Sequence, residues 1–316
     1  MSVYHLESAG EALKRSAVTI GMFDGVHLGH RSLLRALHEE AERIEGQSVV
    51  LTFDRHPATE LRPERAPRLI CSLTRRIAAL EAGGVQAVVV ARFDQAMSRL
   101  SPREFFEQIL LERLRTAVVV VGPDFRFGRN RSGNFPRLAE LGVEHGVAAV
   151  AIPPALVDEA PVSSTRIRTL LLHGRVEDAA RLLGRPFVLE GVVVRGEGLG
   201  KKLGFPTANL RIDDELIVPG QGVYAADVIA LGRVLRGVMS VGSRPTLGGA
   251  ADVVEAHILD FDQSIYGEQV TVGFRARLRD QRKFASLDQL AAQIRRDVEA
   301  ASEILSRSPA VLDPTN

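Results

Sequence analysis

One cysteine, Cys71, stands in a chain of 316 residues, so no disulfide can form within it, and a reducing cytoplasm is the compartment to expect. Net charge is nearly absent. Forty Lys and Arg against 39 Asp and Glu leave +1, so no overall field draws the chain to nucleic acid or to a membrane surface. Any polyanion site must therefore be local. No uninterrupted apolar run approaches the length of a transmembrane helix, and the opening residues lack the apolar stretch of a secretory leader. Internal repeats and low-complexity tracts are missing as well. So are the spacings of G-x-G-x-x-G and of the Walker A loop. What remains is an ordinary globular composition, 45% apolar and 25% charged, long enough for two separate cores.

The hydrophobic pattern changes near the middle. Short apolar, β-branched runs at 18–20, 49–53, 87–90, 117–121 and 148–152 alternate with helical patterns such as 102–114, which opens on Ser101-Pro102. That alternation predicts a parallel, doubly wound sheet, whose ligands bind at the carboxyl ends of the strands. A helical stretch over 164–183 closes this half. From residue 187 onward the chain reads as strands: 187–195, 223–230, 234–241, 253–260 and 269–278. In the last, Val270, Val272, Phe274, Ala276 and Leu278 alternate with polar residues and glycine, the period of a half-buried strand. Leu231-Gly232 suits a hairpin turn. A set of short antiparallel strands suggests a small closed barrel. A final helix is expected from Ser286, with Gln289 completing a capping box, and its apolar stripe should dock on the barrel. The tail beyond it, 308–316, is expected to be disordered. The domain boundary is expected near 185, at Gly184-Arg185-Pro186, dividing the chain into 1–185 and 186–316.

The richest stretch is 21–30, Gly-Met-Phe-Asp-Gly-Val-His-Leu-Gly-His, between a strand-like run and a helix-like one. His27 and His30, three residues apart, share one helical face. They could open a metal site, but zinc needs a third ligand and none is near; they could equally be surface histidines at a helix start. The first turn of a helix also offers unpaired N–H groups and partial positive charge, and Gly21, Gly25 and Gly29 let an anion approach the backbone. That arrangement suits a nucleoside triphosphate. Two later segments add to it. Residues 122–128 follow a strand and offer Asp124 with Phe125 and Phe127, whose rings could stack on a flat heterocycle. Residues 163–168 place Ser163, Ser164, Thr165, Arg166 and Arg168 at a helix start, a second anion cradle. The bland alternatives are a packed loop and a simple N-cap.

The second half holds a glycine- and lysine-rich run, 195–209, with Gly196, Gly198, Gly200, Lys201, Lys202 and Gly204. A flexible barrel loop would look much the same. Thr207 and Asn209 follow as uncharged oxygen ligands suited to Mg²⁺. Glu255, in the strand-like run 253–260, reads either as a wet-face residue or as a general base.

Residues 21–30 resemble the flavin adenylyltransferase branch of the nucleotidylyltransferase superfamily, found in bacterial bifunctional riboflavin kinase/FAD synthetases. The strings Gly-Pro-Asp-Phe-Arg-Phe-Gly at 122–128, Ser-Ser-Thr-Arg-Ile-Arg at 163–168 and Thr-Phe-Asp-Arg-His-Pro at 52–57 are similar to further motifs of that branch. Phe-Pro-Thr-Ala-Asn at 205–209 resembles the metal and ATP motif of riboflavin kinases, and the surroundings of Glu255, of Ser243, of Tyr266 and of 279–284 follow the same pattern. Where that family carries an arginine between the loop glycines, this chain has Leu199.

The resemblance implies a Rossmann-like nucleotidylyltransferase domain followed by a riboflavin-kinase-like antiparallel β-barrel with a terminal helix. It implies phosphorylation of riboflavin to FMN in the second domain and adenylylation of FMN to FAD in the first, with ATP as co-substrate and Mg²⁺ as cofactor. His27 and His30 would lie on the ATP phosphates together with Gly21, Phe23, Gly29, Ser164, Thr165 and Arg168. Asp124, Phe125, Phe127 and Ser163 would serve the flavin of the first domain, and Arg279 that of the second. Gly196, Gly198 and Lys202 would hold the kinase nucleotide, Thr207 and Asn209 the metal, and Glu255 would be the base. Partners would be riboflavin, FMN, FAD and ATP, without nucleic acid or membrane, and with weak self-association at most. The rivals are a single-activity adenylyltransferase with a decayed kinase site, a non-catalytic flavin-binding regulator, and an adenylyltransferase for a pantetheine or nicotinamide phosphate.

Overall fold

A computed structural model describes the whole chain apart from residues 197–199, 201–202, 247–248, 308, 311 and 313–316. The contacts divide it into two compact units, Met1–Ser163 and Ser164–Asn316.

The first unit is built on a six-stranded sheet. Its strands are β1 (Ser2–His5), β2 (Ser16–Ile20), β3 (Gln47–Phe53), β4 (Ala87–Ala91), β5 (Thr116–Val121) and β6 (Ala148–Ala151). They lie in the order β1-β4-β3-β2-β5-β6, with every pairing parallel. Alternate residues of the central strands feed two cores. Val18, Val49, Leu51, Val89 and Val119 face one, and Ala17, Val50, Val88, Val118 and Val120 the other. Burial on both faces is why these strands read as continuous apolar runs. The helix Leu28–Arg43 closes one face with Leu33, Leu34 and Leu37. Phe105, Phe106, Ile109 and Leu110 close the other from the expected 102–114 helix, which is realised as a single α-turn continuing into a π-helix, Phe105–Arg113. Strand β1 has no sequence signal of its own. It is mostly exposed and gains its form by pairing with β4 at the edge. A small hairpin, β7 (Leu156–Val157) and β8 (Ala160–Pro161), turns through Asp158 and Glu159, both at positive φ.

Chain order runs outward from β2 through β3 to β4, then returns to β5 on β2's other side and on to β6. The reversal between β2 and β5 is a topological switch point, where sheets of this kind bind their ligands. The 21–30 loop leaves β2 and the 122–128 loop leaves β5, so both start from that crevice.

In the second unit the expected 164–183 helix is two helices, Ser164–Leu172 and Val176–Leu183, parted at Gly174. Gly174 has φ +69°, and a Cβ there would lie 2.6 Å from the Tyr224 hydroxyl, so a larger residue is excluded on both counts. The barrel follows: β9 (Phe187–Val194), β10 (Ala208–Arg211), β11 (Gly222–Ala230), β12 (Arg233–Thr246), β13 (Gly249–Ile258) and β14 (Gln269–Arg279). It closes in the order β10-β13-β12-β11-β14-β9, every pair antiparallel. Leu231 (φ 49°) and Gly232 (φ 70°) form the expected turn between β11 and β12. The terminal helix, Leu287–Ser306, is capped by Ser286, which accepts from the Gln289 N–H; the Gln289 side chain accepts from the Ala285 N–H instead of Ser286's own. Ala301 and Leu305 of this helix pack on Val223, Ala225 and Val238 of the barrel. The expected disorder of 308–316 falls mainly on residues outside those described.

Candidate active sites

The first site is the turn between β2 and the helix Leu28–Arg43. Its backbone is strained: Phe23 (φ 48°), Gly25 (φ 83°) and Val26 (φ 39°) all lie in the left-handed region, where a β-branched residue is rare. Such a conformation persists only if its surroundings enforce it. Asp24, 1% exposed, does so by accepting the Ile70 N–H at 2.9 and 3.0 Å and the Cys71 N–H at 3.2 Å. The Gly25 N–H donates to Cys71 Sγ at 3.3 Å. A buried carboxylate satisfied by backbone donors ties the turn to the segment ahead of the helix Leu73–Ala82. Sequence reasoning passed over Asp24 because its partners lie some 46 residues away.

The turn delivers two imidazoles to one place. His27 is the N-cap of the helix, and its Nδ1 accepts the His30 N–H at 3.3 Å. An Nδ1 that accepts leaves the ring proton on Nε2, a donor. The two rings stack at 3.6 Å between centroids, 14° apart, and Phe23 leans on His30 at 4.9 Å. Gly29 makes room for this: a Cβ there would stand 3.1 Å from the His27 ring and 3.3 Å from the Val162 carbonyl. Gly21 is close to the Phe23 ring, 3.3 Å from a Cβ built on it. The chain running through Val162 into Ser163 thus passes beside the histidine turn.

Of the 122–128 residues, Asp124 is exposed in a turn and Phe125 is half-buried. Phe127 is 5% exposed, held against Phe105 and paired with Gly133, so its ring is part of the core; Phe125 stacks on it at 5.5 Å and is the ring nearer the surface. Ser164, Thr165 and Arg168 lie in the first two turns of their helix, in which Ile167 is buried.

The second site is assembled by barrel register. Asn209 lies opposite Glu255, Glu255 opposite Ser240, Ser240 opposite Val223 and Val223 opposite Arg279. Directly paired residues share a face, so one row crosses five strands with the carboxylate beside the amide. Two glycines before β10, Gly196 and Gly200, lie close to the start of the row. A Cβ on Gly196 would fall 2.1 Å from the Asn209 amide, and one on Gly200 3.0 Å from the Thr207 hydroxyl. The expected contacts of Gly198 and Lys202 lie outside the described residues. A cavity of ≈ 340 Å³ lies over the row, lined by Thr207, Ser240, Glu255, His257, Arg279 and Phe284. A second, of ≈ 450 Å³, is lined by Val193, Pro206, Thr207, Ala208, Phe261 and Tyr266. Thr207 borders both.

Arg279 is fixed by Asp297 of the terminal helix through contacts of 2.7–3.1 Å, with Gln293 bracing the carboxylate at 2.8 Å. Gln281 donates to Ser240 Oγ at 2.9 Å, and His257 Nδ1 donates to the Pro206 carbonyl at 2.8 Å, tying Glu255's strand to the 205–209 motif. Asp297 and Ser240 carry no local signature; only strand pairing and helix docking bring them to the cavity.

The metal question turns on donor chemistry. Thr207 and Asn209 offer neutral oxygens backed by glycines that keep space open beside them, and among the described residues no group of three His, Cys, Asp or Glu gathers anywhere. A few oxygen ligands with the remainder left to substrate phosphates is how proteins hold Mg²⁺.

Comparison with known proteins assigns a family to each half. The family model for FAD synthetase matches residues 10–166 and that for riboflavin kinase matches 183–305. The chain is 38% identical over 297 residues to the bifunctional riboflavin kinase/FMN adenylyltransferase of Haemophilus influenzae, covering 94% of this chain and 96% of that one. It belongs to the bifunctional riboflavin kinase/FMN adenylyltransferase family. The Escherichia coli K12 member is 38% identical, covering 90% and 91%, and the Bacillus subtilis member 32%, covering 96% of each. A solved chain described as a macrolide-efflux protein from Streptococcus pneumoniae shares the fold, with a TM-score of 0.86 at 31% identity over 96% of this chain and 99% of that one. Among the described residues no helix is long and apolar enough to cross a membrane.

Proposed function

We propose a division of labour between the two sites. The enzyme phosphorylates riboflavin to FMN with ATP, and it adenylylates FMN to FAD with a second ATP, releasing pyrophosphate. Residues 186–316 carry the kinase and residues 1–185 the adenylyltransferase. The single-activity and regulator readings are disfavoured, because both halves match enzyme families.

In the adenylyltransferase, the FMN phosphate is already anionic at neutral pH and attacks the α-phosphorus without a base. The protein's task is alignment and charge stabilisation. His27 Nε2–H, the His30 ring, the backbone N–H groups of Leu28 and Gly29, and Gly21 receive the ATP phosphates. Ser163 adds a hydroxyl to this cradle, with Asp124 and Phe125 toward the flavin. The stacking of His27 on His30 at 3.6 Å supports a joint role. In the kinase, the ≈ 340 Å³ cavity takes the flavin and the ≈ 450 Å³ cavity the nucleotide, meeting at Thr207. Glu255 accepts the proton of the ribityl hydroxyl as its oxygen attacks the γ-phosphorus; the bond from that phosphorus to the bridging oxygen breaks, and ADP leaves. Arg279 and Phe284 flank the flavin. Thr207 and Asn209 would hold Mg²⁺, which would neutralise phosphate charge. The observation that carries this reading is the juxtaposition of Glu255 with Asn209 across paired strands. A cytoplasmic location goes with the lone, buried Cys71.

Two variants test it. His30→Ala is expected to slow FAD formation by about 10²–10³ and spare FMN formation. Glu255→Gln is expected to slow FMN formation by about 10²–10⁴ and spare FAD formation from added FMN. Loss of both activities by either variant would overturn the assignment.

A further inference from the structure

The first unit hides a cation that neither half of the proposed chemistry uses. Arg76, on the helix Leu73–Ala82, is fully buried. Its Nη1 donates to the Phe53 carbonyl at 2.6 Å and to Thr52 Oγ1 at 3.2 Å. Thr52 Oγ1 in turn donates to the Met22 carbonyl at 3.2 Å, so two hydrogen bonds link the guanidinium to the strained histidine turn. Its Nε and Nη2 find no acceptor among the described residues, and no carboxylate among them pairs with it. An arginine cannot neutralise itself by losing its proton, so the charge stands uncompensated in a dry place. The location is not neutral ground. Thr52 and Phe53 end β3, at the same carboxyl edge of the sheet from which the 21–30 loop leaves β2.

A purely mechanical strut would need only the two Nη1 contacts, which a neutral donor could make. The two idle donors and the missing counter-charge need another reason. We propose that Arg76 is a positioning residue of the adenylyltransferase: it sets the Met22 end of the turn through Thr52, and its charge is balanced only when a triphosphate or pyrophosphate occupies the turn. It does not touch the reacting atoms. It raises the affinity of the empty site for a polyanion by holding positive potential beneath it. The proposal rests on the adenylyltransferase reading of the first unit.

The test uses Arg76→Met, which keeps the length and removes the charge, and Arg76→Lys, which keeps the charge. FAD formation from FMN is measured against ATP concentration. Thermal unfolding is followed without ligand and with inorganic pyrophosphate, and FMN formation from riboflavin reports on the other unit. For Arg76→Met we expect a ligand-free transition no lower than wild type, a KM for ATP raised about 10- to 100-fold, a lost pyrophosphate shift and unchanged FMN formation. Arg76→Lys should recover most of the ATP affinity. The proposal is overturned if Arg76→Met lowers the ligand-free transition while ATP affinity stays within twofold, if both variants lose ATP affinity equally, or if FMN formation falls in step. A wild-type protein that bound pyrophosphate yet made no FAD would instead remove the adenylyltransferase reading.

Discussion

Gly196→Ala perturbs the kinase metal motif while leaving both candidate metal ligands, Thr207 and Asn209, in the chain. Gly196 is not in the left-handed region, so alanine can adopt its backbone, and the unfolded chain loses freedom worth about 0.4–1 kcal/mol in favour of folding. The obstacle is steric. The added Cβ would lie 2.1 Å from Asn209 Nδ2, 2.5 Å from Cγ and 2.8 Å from Oδ1. Ordinary contact begins near 3.4 Å, so the amide must retreat by more than an ångström. A misplacement of about 1 Å at a reacting centre costs roughly 10²-fold in rate, or about 2.7 kcal/mol of barrier. FMN formation from riboflavin and ATP, followed by separating the flavins, should therefore fall about a hundredfold. FAD formation from added FMN and the melting transition should hold. Asn209→Ala should match the loss. If Gly196→Ala makes FMN within about twofold of the wild-type rate, the position of Asn209 does not limit the kinase, and the metal assignment to Thr207 and Asn209 fails with it.

Three further outcomes follow from the same contacts. Phe125→Ala should raise the KM for FMN in FAD synthesis at little cost in stability, whereas Phe127→Ala should destabilise the first unit by about 3–5 kcal/mol, as seen in chemical denaturation; a large FMN effect from Phe127 in a fully stable protein would contradict its place in the core. Asp24→Ala leaves the Ile70 and Cys71 N–H groups without their buried acceptor, so it should cost about 1–3 kcal/mol or more and slow FAD formation while FMN formation continues; unfolding midpoints and the two rates decide. Burial pushes the Tyr224 hydroxyl pKa above its ordinary value, Arg277 opposing the shift. The folded state thus keeps a proton that the unfolded chain gives up near pH 10, so stability is held below that pH and declines above it. Urea midpoints from pH 8 to 11 should show a steeper alkaline loss for the parent than for Tyr224→Phe.

Hydrophobic patterning was enough to read both architectures, and the motif resemblance implied both chemistries. Continuous apolar runs between helices can be buried only on both faces of a parallel sheet, and the strict alternation of 270–278 can line only one face of a barrel. Glycines, histidines and the 205–209 motif are local signals, legible because a turn or a helix start depends on a handful of consecutive residues. What tertiary structure alone decided is non-local. Strand β1 exists because β4 offers an open edge, and β10, with too few apolar residues to announce itself, exists because β9 and β13 flank it. The Asn209–Glu255–Ser240–Val223–Arg279 row is a product of barrel closure, in which a slip of one residue would turn Glu255 to the opposite face. Phe125 and Phe127 look alike in the sequence, yet the bridge to Gly133 buries one and leaves the other nearer the surface. Asp24 and Arg76 matter through partners that only folding brings within hydrogen-bond reach.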